Sequence, residues 1–97
     1  MARPPAITVQ VPSPLRADCG GASELALAAA NVRDALEAIA ERHPSLHRSV
    51  CDETGAVRRH VNLFVNSSNV RDGKGLDTPF ASGDVLTILP AVSGGRS

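Results

Sequence analysis

The chain has 97 residues, and its ten Lys plus Arg are matched by ten Asp plus Glu. A single core is expected at this length, burying only roughly 60–65% of the unfolded surface, which leaves little room for a deep catalytic cleft. Zero net charge, with two Phe and no Tyr or Trp, argues against a nucleic-acid partner, and no apolar run approaches a membrane span.

The first strand is predicted at Ile7-Thr8-Val9-Gln10-Val11, where apolar and polar residues alternate. Pro12 and Pro14 end it, and Asp18-Cys19-Gly20-Gly21 has the chemistry of a turn. Glu24–Ala28 reads as a second strand with Leu25 and Leu27 on one face, making a hairpin with the first. Asn31 then reads as a helix N-cap, with Asp34 favouring the positive end of the helix dipole. Val32, Ala35, Leu36, Ile39 and Ala40 form an apolar stripe at helical period, while Arg33, Glu37 and Glu41 fall on the wet side. Pro44 stops that helix near Arg42. Leu46–Val57 is expected to be a connection, with a turn at Asp52–Gly55.

His60–Asn66 alternates most cleanly of all, with Val61, Leu63 and Val65 toward the core. Ser67-Ser68-Asn69 is a predicted turn, Val70-Arg71 a short return strand, and Asp72–Gly75 a loop. Gly83-Asp84 turns the chain into a last strand, Val85–Leu89, and Pro90 weakens further pairing because it has no N–H to donate. The predicted fold is α+β: a mixed four- to five-stranded sheet with one main helix across one face. The first and last strands are placed side by side at its centre. Residues 1–90 are expected to form the domain and 91–97 a flexible tail containing Gly94-Gly95.

Alternation also predicts an open face opposite the helix. If Val61, Leu63 and Val65 point inward, Phe64 points outward with Asn62 and Asn66. Leu86 and Ile88 point inward, leaving Thr87 and Leu89 on the open face. Phe64 and Leu89 then make an apolar spot on the tail side, set against the plainer reading of a Phe shielded by a neighbouring loop.

This order of elements, with Val61-Asn62-Leu63-Phe64-Val65-Asn66, Gly83-Asp84-Val85 and Leu89-Pro90-Ala91-Val92-Ser93-Gly94-Gly95, resembles the ThiS/MoaD family of sulfur carriers. Asn31–Leu36 is also similar to the family's helix start, and the tail resembles carriers serving cysteine or secondary-metabolite synthesis. The resemblance implies a ubiquitin-like β-grasp fold and a carrier that is not itself an enzyme. It implies that an adenylyltransferase/sulfurtransferase partner uses ATP to activate the carboxylate of Gly95, which becomes a thiocarboxylate. A downstream synthase then takes the sulfur. Val92, Ser93 and Gly94 would enter the partner's active site, where glycines pass with little steric restriction. Phe64, Thr87 and Leu89 would be the docking surface. Arg96 and Ser97 follow Gly95, so they must be removed before activation. They are either a precursor segment, trimmed by a JAMM-type zinc peptidase, or residue from a cloning site. The alternative function is a ubiquitin-like modifier joined to lysines through Gly95. A third is an interaction domain with an inert Gly-Gly tail.

Other signals are discounted. His43, His47 and Cys51 have an inviting zinc spacing, but Pro44 interrupts the alignment and no fourth ligand is evident, so exposed loop residues are expected. Arg58-Arg59-His60 reads as a solvated strand end, though it could meet an acidic partner. Gly73-Lys74-Gly75 lacks P-loop spacing. Asn66-Ser67-Ser68 fits a glycosylation sequon with no secretory signal beside it. Cys51 as a nucleophile has no visible oxyanion site. Cys19 and Cys51 are expected to be free thiols in a cytoplasmic protein that binds no metal or cofactor.

Overall fold

Alternation and helical period both find their partners across one sheet. In a computed structural model, which describes residues 3–90, β1 (Ala6–Gln10) and β2 (Glu24–Ala28) form the antiparallel hairpin. The helix α1 (Val32–Arg42) and a second helix, α2 (Pro44–Val50), follow. Then come β3 (Val61–Val65), the two-residue β4 (Ser68–Asn69) and β5 (Val85–Pro90). The sheet order is β2-β1-β5-β3-β4, so the first and last strands lie side by side as expected, and they run parallel. The β-grasp class is therefore the observed one, with five strands.

The inward residues are those that alternation selects. Ile7, Val9, Leu27, Val61, Leu63, Leu86 and Ile88 are buried. They meet Val32, Leu36 and Ile39 of α1 in one core. Asn31 caps α1 as predicted: its Oδ1 accepts the Asp34 N–H at 2.9 Å. Among the described residues no helix is long and apolar enough to cross a membrane.

Several expectations are corrected. β1 runs from Ala6 to Gln10, one residue earlier than read, although Val11 still pairs through its N–H with the Ser23 carbonyl. The segment before the turn is a 3-10 helix, Ser13–Cys19, opened by its prolines and closed by Gly20 and Gly21 at φ 73° and 87°. Residues 46–50, read as connection, belong to α2. Pro44 stops α1 and also starts α2, since its missing N–H and preset φ suit a first helical turn. The short return strand is Ser68–Asn69, while Val70–Asp72 and Gly75–Asp77 are 3-10 turns where a strand and a loop were expected. β5 includes Pro90, one residue beyond the predicted Val85–Leu89, in register opposite Val61. The predicted tail, residues 91–97 with Gly94 and Gly95, lies outside the described residues.

Candidate functional site

The central strand β5 carries the chain toward its end, so the site is built around it. On the open face Thr87 sits opposite Phe64 on β3 and Gln10 on β1, and Leu89 sits opposite Asn62. Thr87 Oγ1 donates to Gln10 Oε1 at 3.4 Å. Phe64 and Leu89 are diagonal neighbours on this face, within reach of each other's side chains. Leu89 is 47% exposed, the one large apolar side chain so open among the described residues. Phe64 faces outward but is half-buried, flanked on its far side by Ser68, Asn69, Asp72 and Gly73. Phe64 thus pairs with Asn69 of β4 and borders an open cleft toward the turn after it. Beyond Leu89, a groove of about 380 Å³ runs between Gln10, Pro12, Arg16, Glu24 and Leu89.

A clasp at the other end of β5 sets its register. Asn66 sits at φ 56°, in the left-handed region that Asn tolerates better than most residues. Its N–H donates to the Val85 carbonyl at 2.8 Å, and its Oδ1 accepts the Val85 N–H at 3.1 Å. Its Nδ2 donates to Asp84 Oδ1 at 3.2 Å, while Asp84 Oδ2 accepts the Ala81 N–H at 2.8 Å. The Asp84 carbonyl accepts the Thr8 N–H at 3.1 Å, and Gly83 donates to the Ala6 carbonyl at 2.9 Å. The Gly-Asp turn and the Asn after β3 therefore lock β5 to both its neighbours. Sequence reading noted these residues without finding their contact, because Asn66 and Asp84 are 18 positions apart in the chain.

The Ala81 N–H and the Asn66 amide hold the Asp84 carboxyl below its ordinary range. A depressed carboxyl contributes stability that is present above the unfolded value and lost as pH falls through the folded one. Wild type is therefore expected to lose melting temperature on acidification below about pH 4, where carboxyls titrate. Asp84→Asn should flatten part of that loss. Parallel wild-type and variant profiles in thermal melts would show that the clasp is not part of the acid response.

The discounted positions resolve differently. Cys51 is buried, at 1% exposure, and is not the exposed loop residue expected. Burial first, then the Asp52 charge, raises its thiol, with Arg58 opposing. The thiol stays protonated at neutral pH, the wrong state for a nucleophile or metal ligand. Cys19 is also buried and free, its Sγ donating weakly to the Arg16 and Ala22 carbonyls. Among the described residues no three His, Cys, Asp or Glu side chains gather as a metal site.

This geometry is shared with known proteins. Residues 9–95 match the ThiS family. The sulfur carrier protein CysO of Mycobacterium tuberculosis is 33% identical over 92% of this chain and 98% of its own. In the crystal structure of the Amycolatopsis orientalis BexX/CysO complex, the similar chain is 35% identical, covers 92% of this chain and 99% of its own, and superposes with a TM-score of 0.84. The solution structure of small archaeal modifier protein 1 from Methanosarcina acetivorans is 27% identical, covers 98% and 100% of the two chains, and gives a TM-score of 0.85. With its five-stranded β-grasp sheet and a match that spans nearly its whole length, the chain belongs to the ThiS family of ubiquitin-like sulfur carriers.

Proposed function

We propose that this protein carries sulfur on Gly95 as a thiocarboxylate. The observation that carries the reading is where the family match stops: it runs to Gly95 and leaves Arg96 and Ser97 outside. Residues 91–95 join that glycine to β5 at Pro90. In this scheme a peptidase first frees the Gly95 carboxylate. Its oxygen attacks the α-phosphorus of ATP on an adenylyltransferase, expelling pyrophosphate. A sulfide equivalent then displaces AMP from the acyl carbon and leaves the thiocarboxylate. The acceptor is a biosynthetic enzyme making a sulfur-containing metabolite. The complex of an Amycolatopsis CysO with BexX supports the expectation that such a chain works by docking on a partner. Intact mass of the chain recovered from its own cells tests the proposal. Loss of Arg96-Ser97 with an oxygen-for-sulfur mass change is the expected result. A population consisting only of the full chain would remove it.

Similarity to small archaeal modifier protein 1 favours one second reading, attachment to protein lysines through Gly95. A blot of the same cells separates the two: higher-mass adducts carrying this chain mark a modifier.

In either reading Phe64, Thr87 and Leu89 form the surface that meets the activating partner. Half-buried Phe64 is expected to be more important to that contact than to the fold. Phe64→Ala should weaken activation about tenfold, the loss of one good interface anchor. Its urea midpoint should move little. Collapse of the fold in Phe64→Ala would instead make Phe64 a core residue.

A further inference from the structure

The sheet directions bring several arginines to one pole, where Glu24 at the start of β2 is the acidic residue on the sheet. β1 and β5 end there, and β2 and β3, antiparallel to them, begin there. This is the pole from which the chain leaves β5, with Pro90 opposite Val61. Arg58, Arg59 and His60 immediately precede Val61. Arg71 reaches them from beyond β4: its guanidinium donates to the Arg58 carbonyl at 3.0 Å, the Arg59 carbonyl at 3.4 Å and Asn62 Oδ1 at 2.9 Å. Arg58 Nε donates in turn to the Arg48 carbonyl at 2.9 Å. Positions 48, 58, 59 and 71, from three separate stretches of chain, are thus tied together at the pole where β5 ends and β3 begins, through the guanidinium groups of Arg58 and Arg71 and the carbonyls of Arg48, Arg58 and Arg59, while the Arg48 guanidinium donates to Ser45 Oγ at 3.3 Å.

Among the described residues none of the four has a carboxylate in ion-pair contact. The one ion pair there, Arg33 with Asp77 at 3.0 Å, lies by the first turn of α1, which follows the far end of β2. Asp52 and Glu53 line the groove beside Arg48 and Arg58, but the Asp52 carboxylate accepts the Thr54 and Ala56 N–H groups of its own turn. Gathering like charges in a chain of zero net charge costs self-repulsion. An opposite surface offsets that cost and gains both steering and register. The Arg58 and Arg71 guanidinium groups, held by backbone carbonyls, are also partly pre-ordered for such a contact. Nucleic acid is the poorer fit, for lack of a wider positive field and of stacking aromatics.

We propose that Arg48, Arg58, Arg59 and Arg71 form a basic collar that docks on an acidic surface of the partner protein receiving the tail. The inference rests on the carrier reading and supplies the chemistry of the partner's surface.

The test is a titration of the full chain with poly-L-glutamate at low salt, followed by amide chemical shifts. Shifts should centre on the four arginines and fade as salt is added. Arg59→Glu changes a side chain that makes no hydrogen bond among the described residues, so the fold should persist. It should weaken binding roughly tenfold, with Arg59→Gln between it and wild type. Arg33→Glu, an equal charge change at the other pole, should leave binding nearly unchanged. Equal weakening by Arg33→Glu, absence of binding, or tighter binding to duplex DNA of matched charge would each overturn the proposal. The titration reads the collar alone and the cellular mass reads the carrier chemistry alone, so the two fail separately.

Discussion

Cut after Gly95, the chain is expected to release pyrophosphate from ATP in the presence of its activating enzyme, and the 97-residue chain is expected to release none above the blank. The effect is all-or-none because it turns on which atom attacks. Adenylation needs a carboxylate oxygen as nucleophile. In the full chain Gly95 is peptide-bonded, and its carbonyl oxygen belongs to an amide with no charge to offer. The full chain's free carboxylate is on Ser97, behind the long side chain of Arg96. In the proposed activation, a channel shaped for glycines would give that side chain no room. The check is a pyrophosphate-release assay with both forms at equal concentration. Equal release from the two would sink the proposed role of Gly95 as the reactive end.

Leu46→Ala is expected to cost about 2–5 kcal/mol of unfolding free energy, the usual range for emptying a buried leucine site. A domain of this size has only about 5–15 kcal/mol in total, so the variant should be marginal at body temperature. Leu46 is fully buried, at 0% exposure, and sits in the single core shared with Ile39 of α1 and Val50 of α2. Removing its side chain leaves a void where α2 packs against α1 and the Ser13–Cys19 helix. Leu89→Ala is the matching control. Its side chain is 47% exposed on the open face, so its stability should change by no more than about 0.5 kcal/mol. Urea unfolding with an unchanged slope would read both values. A small loss for Leu46→Ala would mean that α2 contributes little to the core.

The two leucines show how far local pattern reaches. Leu89 sits in an alternating run, so its outward direction is readable from its neighbours. Leu46 sits in a seven-residue helix with buried positions only at Leu46 and Val50, too short to declare a period. Its Pro44 reads equally as a stop and as a start. The 3-10 turns at Ser13–Cys19, Val70–Asp72 and Gly75–Asp77 escape for the same reason.

The candidate site divides in the same way. Phe64, Thr87 and Leu89 were placed on the open face by period alone, and register then put Phe64 beside Thr87. That Phe64 pairs with Asn69 and borders a cleft with Asp72 and Gly73 was beyond reach, because β4 itself was misplaced by two residues.

Periodicity, the Asn31 cap and the Gly-Asp turn were enough to establish an α+β sheet and the direction of every long strand's side chains, and the stretches Val61–Asn66, Gly83–Val85 and Leu89–Gly95 added the family resemblance. Each is a property of neighbours in the chain, encoded within a few residues. What only the tertiary structure decided was what distant residues do together. Asn66 clasps Asp84 and Val85, burial raises the Cys51 thiol, and the Arg58 and Arg71 guanidiniums tie together positions 48, 58 and 59 from separate stretches of chain. Burial and charge convergence depend on which segments the sheet sets side by side. The parallel pairing of β1 with β5 determines that, bringing the first strand beside the last at the centre of the fold.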